Sequence, residues 1–311
     1  MKVLGLGTAA IDVVLKCDKL PEKDGFSLIK NEKIIPGGSC ANVLVTLSKL
    51  GIHTALINKL GDDFYSNTFM KDLKQNNICT KHMKIDKGGS ILHTYITVGE
   101  KGEKCIFSNF GKSLLSLSCN EVDESMLDDV LVFYTDMFPG KPALKLAHLC
   151  KQRNIKIVFN LQCAPSFMNN CGVTNEDLEE MISLSDIFLG CSEGLFELSN
   201  YNNHEEAAKF LYNKYSPKLG VISTCGSKGA LWVDKDDNSF CTAFNIDSVD
   251  TTGAGDSFIG GLIYYYFIEK QSKLESLSFA CACAAIKCTQ AGGRIDTNLD
   301  KVLKFMKTNL K

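Results

Sequence analysis

The chain has 311 residues, 45% apolar and 23% charged, a length that allows one large α/β domain or two small ones and a composition that excludes whole-chain disorder. Lys plus Arg is 34 against 36 Asp plus Glu, a net charge of −2, which argues against a broad nucleic-acid-binding surface. No run of eighteen apolar residues occurs, which excludes a membrane-spanning helix.

In chain order, Lys2–Leu6 and Ile11–Leu15 read as β-branched strands. Cys40–Leu50 carries Val43, Leu44, Leu47 and Leu50 at helical spacing, with Gly51 in the stop position. Thr54–Asn58 reads as a strand and Asp63–Asn76 as a helix. Strands at Val130–Tyr134 and Ile155–Asn160 enclose a helix at Pro142–Arg153. Short strands follow at Asp186–Leu189, Gly220–Thr224 and Ala230–Val233, with a helix at His204–Tyr215. This alternation predicts βαβ units and a parallel sheet with helices over it, whose ligands sit beyond the carboxyl ends of the strands. Residues 13–35 and 90–107 break the alternation and read as antiparallel ribbons, the second turning at Gly99-Glu100-Lys101-Gly102. They are expected to form a small sheet inserted in one domain spanning 1–311, placed as a lid. Gly255–Ile268 is apolar almost all round and predicts a buried helix; Leu274–Gln290, rich in Ala and Cys, predicts a close-packed neighbour.

Several motifs fail on context. Gly5-Leu6-Gly7-Thr8-Ala9-Ala10 has the loose form of a dinucleotide fingerprint, but a strand follows it where a helix is required, so it reads as a tight turn between strands with Asp12 near its mouth. Gly111-Lys112-Ser113 is the tail of a Walker A loop, yet position 106 is Ile where that loop needs Gly. Gly37-Gly38-Ser39-Cys40-Ala41 is a poor nucleophile elbow, because Pro36 and two glycines weaken the strand it needs.

Three glycine-rich segments remain. Asp250-Thr251-Thr252-Gly253-Ala254-Gly255-Asp256-Ser257 is a turn feeding a helix N-terminus. Free amides and the helix dipole there make an anion site, and Asp256 beside it is placed to accept a hydroxyl proton; the competing reading is a plain helix cap. Thr224-Cys225-Gly226-Ser227-Lys228-Gly229 offers a hydroxyl, glycines and a cation, or else an ordinary turn. Gly37-Gly38-Ser39-Cys40-Ala41-Asn42 opens a helix, with an amide suited to vicinal hydroxyls at Asn42.

Taken together, the glycine-glycine-x-x-Ala-Asn loop at 37–42, Thr-x-Gly-x-x-Gly at 224–229 and Asp-Thr-x-Gly-Ala-Gly-Asp at 250–256 resemble the ribokinase-like (PfkB-type) carbohydrate and nucleoside kinase family over essentially the whole chain. The resemblance implies a Rossmann-like α/β sandwich with helices on both faces and a small β-sheet lid. It implies ATP- and Mg²⁺-dependent phosphorylation of a sugar or nucleoside hydroxyl. Asp256 matches the catalytic base, and Gly253, Ala254 and Gly255 match the anion hole. Asp12, Gly38, Ser39 and Asn42 match the sugar side, and Thr224, Gly226, Ser227 and Gly229 the nucleotide side. Asp250 and Thr252 match positions near a monovalent-cation site of some members, which leaves K⁺ dependence open. The family's Asn-x-x-Glu is replaced by Cys191-Ser192-Glu193-Gly194, with Glu193 as a partial substitute for Mg²⁺ handling. Restoring the family pattern, by Cys191→Asn with Gly194→Glu, is then expected to raise activity if those positions are the defect. The alternative is a catalytically weak sugar- or nucleotide-binding sensor of the same fold.

With only two arginines, Arg153 and Arg294, a neutral acceptor is favoured over a sugar phosphate. The fourteen scattered cysteines form no C-x-x-C pair, and the N-terminus makes a poor secretory signal. Reduced thiols and a cytoplasmic location are expected, with no nucleic-acid or membrane partner. Lid strands pairing across two copies would give a homodimer.

Overall fold

In the computed structural model, which describes residues 2–309, β-branched and aromatic runs too apolar to face water become the interior strands. In order the elements are Val3–Leu6 (β1), Ala10–Cys17 (β2), Ile29–Gly37 (β3), Ser39–Lys49 (α1), Thr54–Ile57 (β4), Lys59–Leu60 (β5), Phe64–Gln75 (α2), Lys84–Ile85 (β6), Leu92–Val98 (β7) and Lys104–Asn109 (β8). Then come Val132–Thr135 (β9), Gly140–Gln152 (α3), Lys156–Leu161 (β10), Pro165–Asn170 (α4), Asn175–Leu184 (α5), Ile187–Gly190 (β11), Ser192–Ser199 (α6) and His204–Tyr215 (α7). The last are Gly220–Thr224 (β12), Gly229–Val233 (β13), Asn238–Thr242 (β14), Ala254–Leu262 (α8), Lys273–Cys288 (α9) and Leu299–Asn309 (α10).

The main sheet has the order β14-β13-β12-β11-β10-β9-β1-β4. The pairs β4–β1, β1–β9, β9–β10, β10–β11 and β11–β12 are parallel, whereas β12–β13 and β13–β14 are antiparallel. The expectation of a parallel sheet therefore fails at one edge. The physical reason is the connection: the short turn Gly226–Lys228 cannot carry a crossover, so β13 must run back. Alternate side chains of these strands enter two cores. Val3, Val132, Val158 and Ile222 pack under α1, α2, α8, α9 and α10. Leu4, Phe133, Ile157 and Val221 pack under α3, α5 and α7. Each fully buried Leu, Ile or Phe contributes roughly 1.5–3 kcal/mol.

The two inserted segments form a second, four-stranded sheet, ordered β3-β2-β7-β8. Strand β2 pairs antiparallel with β3 and parallel with β7, which sets Asp12 opposite both Ile35 and Thr94. The ribbons run slightly further than the sequence suggests, from Ala10 and to Asn109. Residues 7–9 join β1 to β2 as strand to strand; a Cβ on Gly7 would lie 2.2 Å from Asp136 Oδ1, so packing explains the glycine.

Helix α8 lies between α1 and α9. A Cβ on Gly260 would lie 2.6 Å from the Thr46 side chain, and one on Gly261 would lie 2.8 Å from Cys283 Sγ. The apolar run does not stay one buried helix to residue 268. It passes into a π-helical turn at Ile263–Ile268, whose last four residues are half-buried. The wider turn lets Tyr265 stack on Phe279, 4.2 Å between ring centroids. All fourteen cysteines are free. Among the described residues, no helix is long and apolar enough to cross a membrane.

Candidate active site

Two cavities meet beyond the carboxyl ends of the sheet strands, at the N-terminus of α8. The larger, about 460 Å³, is lined by Thr224, Gly226, Ser227 and Gly229 on one side and by Ala254 and Gly255 on the other. Its remaining walls are mostly apolar, from Phe244, Ile246 and Phe258 to the Ala284–Ala285 face of α9. The smaller, about 350 Å³, contains Asp12, Gly38, Ser39, Asn42, Gly253 and Asp256. Thr224 and Gly255 line both.

Local sequence explains the junction. Gly253 is the N-cap of α8 with φ +74, and a Cβ there would lie 1.9 Å from the Gly293 carbonyl oxygen. Only glycine enters the helix by this turn. Gly255 has no such neighbour: a Cβ on it would meet no protein atom within 4 Å, because it faces the cavities. No side chain caps the helix. Ala254 N–H donates to the Thr251 carbonyl at 3.2 Å, so it is already engaged. Among the described residues, the N–H groups of Gly253, Gly255 and Asp256 have no acceptor, an arrangement of the kind that suits an anion.

Asp256 is held as an acceptor. Its Oδ1 receives the Ser39 hydroxyl at 2.7 Å and its Oδ2 receives Asn42 Nδ2 at 2.9 Å. Burial pushes the carboxyl above its ordinary value; the Ser39 and Asn42 hydrogen bonds and the nearby Arg294 guanidinium pull it back. Sequence reasoning misses Arg294 here, although it is one of only two arginines. Its Nε donates to Asn42 Oδ1 at 3.1 Å, which orients the amide so that Nδ2 faces Asp256, and its Nη1 pairs with Asp72 of α2. Asp12 receives the Thr94 hydroxyl at 2.5 Å, and burial likewise raises its carboxyl.

Asn160 and Gln162 complete the smaller cavity from the end of β10. Gln162 Nε2 donates to Thr8 Oγ1 at 2.9 Å, and Thr8 donates from N–H and hydroxyl to Asp136. Asp136 is wholly buried, and burial pushes its carboxyl up to about 6. Among the described lining residues none is Lys, Arg or His.

The metal expectations fare differently. Glu193 is exposed in the first turn of α6 and lines neither cavity; Cys191 reaches the smaller one instead. Gly194 does not face a cavity. A Cβ on it would come 3.0 Å from Leu161 Cγ and 3.2 Å from the Cys163 carbonyl, so the Gly194→Glu half of the expected rescue meets packing. No group of three or more His, Cys, Asp or Glu able to hold a metal occurs among the described residues. Thr252 lines the smaller cavity but Asp250 lines neither. Asp250 Oδ1 accepts from Thr252 N–H at 3.0 Å and from its hydroxyl at 2.8 Å, and Oδ2 accepts from Gly292 N–H at 2.9 Å.

Residues 2–300 match the model of the pfkB family of carbohydrate kinases. The chain is 28% identical to a protein named probable fructokinase-2 of Arabidopsis thaliana, over 99% of this chain and 97% of that one. It is 25% identical to an ATP-dependent ribose-1-phosphate kinase of Halopiger xanaduensis, over 98% of both chains. Among solved structures, ribokinase of Thermotoga maritima superposes with a TM-score of 0.83 at 24% identity, covering 98% of this chain and 99% of that one. Arabidopsis thaliana ribokinase, solved with ribose and ATP, gives a TM-score of 0.83 at 20% identity over 98% of both.

Proposed function

The chain belongs to the pfkB family of carbohydrate kinases, phosphotransferases that act on an alcohol group, and we propose that it transfers the γ-phosphoryl group of ATP to a hydroxyl of an uncharged sugar, with Asp256 as general base. The observation that carries this reading is the place of Asp256: a carboxylate with two donors on it, at a helix N-terminus with free amides, where the two cavities join.

The larger cavity suits the nucleotide. Its apolar wall fits a base, and the Gly226–Lys228 turn and Gly255 give backbone room for phosphates. When bound, Mg²⁺ would neutralise charge on the phosphates of the nucleotide. The smaller cavity suits the sugar. Asp12 and Asn42 accept and donate to hydroxyls, and Asp256 takes the proton of the attacking one. The Gly253, Gly255 and Asp256 amides favour the charge on the group in transit. The lid sheet covers this cavity through Asp12 and Gly37, which limits water.

Two carboxylates and no cation in the lining argue against a phosphorylated acceptor, because Asp12 and Asp256 would repel it. A cytoplasmic enzyme acting as a homodimer completes the reading. The lid edges β3 and β8 are unpaired, and Ile29, Ile106 and Phe107 on them are exposed. Light scattering that gives a monomer removes the dimer.

The test is ADP release with ATP and Mg²⁺ across neutral sugars, nucleosides and sugar phosphates. Turnover with a neutral sugar is expected, and Asp256→Asn is expected to lose on the order of 10²–10⁴ in kcat while still folding. Turnover with sugar phosphates alone would overturn the acceptor class. Sugar binding without any turnover would favour the sensor reading.

A further inference from the structure

A buried ammonium is costly unless its charge is answered. Lys287 of α9 is fully buried. Its Nζ donates to the Asp250 carbonyl at 2.9 Å and to the Gln290 carbonyl at 3.0 Å. These carbonyls belong to the two loops that converge on the α8 N-terminus. The first loop carries Gly253. The second carries Gly293, which abuts Gly253, and Arg294, which orients Asn42 on Asp256. Further bonds stitch the same strands of chain together: Gly292 N–H to Asp250 Oδ2 at 2.9 Å, and Val249 N–H to the Cys288 carbonyl at 2.7 Å.

A monovalent metal ion beside Asp250 and Thr252 would need these oxygens. The Asp250 carboxylate already accepts three protein donors, and the Asp250 and Gln290 carbonyls already hold the ammonium. The residues present do not fit the ion. Burial pushes the Lys287 amine below its ordinary value against the opposing Asp250 charge, and the two carbonyls it bonds hold the ammonium in place.

We propose that the Lys287 ammonium takes the place of a bound monovalent cation, clamping the two loops that build the α8 N-terminus, so that this chain binds ATP and turns over without K⁺ or Na⁺. Lys287 is a positioning residue; it lines neither cavity. The kinase reading is needed here only for ATP, and thermal unfolding of the free protein tests the clamp without it.

The experiment measures the unfolding midpoint and the ATP dissociation constant in tetramethylammonium, K⁺ and NH₄⁺ chlorides at equal ionic strength. The unmodified protein is expected to be indifferent, within about twofold in affinity. Lys287→Ala, which leaves room for an ion, is expected to bind ATP on the order of tenfold more weakly in tetramethylammonium. K⁺ or NH₄⁺ should restore much of that loss and raise the midpoint. Activation of the unmodified protein by K⁺ would overturn the proposal. So would full ATP affinity in Lys287→Ala without K⁺, or a loss that neither ion restores, since that describes a packing residue. If Lys287→Ala does not fold, the cation series on the unmodified protein decides. Failure of ATP to bind under any condition sinks the kinase reading, and the unfolding series then still decides the clamp.

Discussion

The larger cavity is walled by glycine turns and apolar side chains, while the smaller is walled by carboxylates and amides that hydrogen-bond one another. The first recognises by shape and backbone. The second recognises by polar groups, several of them held by a partner behind: Ser39 and Asn42 on Asp256, Arg294 on Asn42, Thr94 on Asp12. The two walls therefore differ in what a mutation should do. On the larger side, space is the variable. On the smaller side, orientation and protonation are.

The two walls share a junction at Gly253–Gly255, where space and stability separate. Gly253→Ala and Gly255→Ala add the same methyl two residues apart. At Gly253 the methyl meets the Gly293 carbonyl and a positive φ, so stability should fall by roughly 1–3 kcal/mol or more. At Gly255 no protein atom is in reach, and stability should stay within about 0.5 kcal/mol. ATP turnover should nevertheless fall sharply in Gly255→Ala, because the methyl takes ligand space. Denaturant unfolding beside ADP release checks both. A destabilised Gly255→Ala with normal turnover would refute the division.

On the polar side, Arg294 governs orientation and protonation together. Arg294→Met removes the group that orients Asn42 and leaves Asp72 without its partner. Asp256 already sits above the ordinary carboxylate value because of burial, and the guanidinium lowers it. Losing that charge raises it further. A general base works only when ionised, so activity falls as pH drops through its pKa. The acid limb of kcat/KM should accordingly move to higher pH in Arg294→Met, with a larger deficit at pH 6 than at pH 8. An unmoved limb with a uniform loss would assign Arg294 to stability alone.

How much of this the sequence disclosed follows from distance along the chain. The 250–256 turn is local: glycines, carboxylate and apolar helix lie within a few residues, and their spacing is the signal. The strand–helix alternation is local too, and it located the core. Arg294 and Lys287 act across the fold. Arg294 reaches Asn42 over 252 positions and Asp72 over 222, with no spacing rule to connect them. Lys287 sits in an Ala- and Cys-rich helix where a lone Lys reads as a solvated residue. The reversal of β13 depends on a three-residue turn that composition alone leaves ambiguous, and β14 follows it after a second short turn at residues 234–237. Gly194 reads as a missing ligand in the sequence, because one chain cannot show which way a side chain would point.

That position gives the smallest and most specific prediction. Cys191 lines the smaller cavity and is the N-cap of α6 without a side-chain capping bond. Cys191→Asn should supply that cap, worth about 1 kcal/mol, and place an amide at the cavity wall. A modest rise in the unfolding midpoint and a few-fold change in turnover are expected. Gly194→Glu should do the opposite, since its Cβ presses on Leu161 and the Cys163 carbonyl; overpacking of this kind costs about 1–3 kcal/mol. The double variant should then be no more active than Cys191→Asn alone. A large gain that requires the Gly194→Glu exchange would mean that α6 shifts to admit the longer side chain. The polar wall would then be adjustable there and not fixed by the groups behind it.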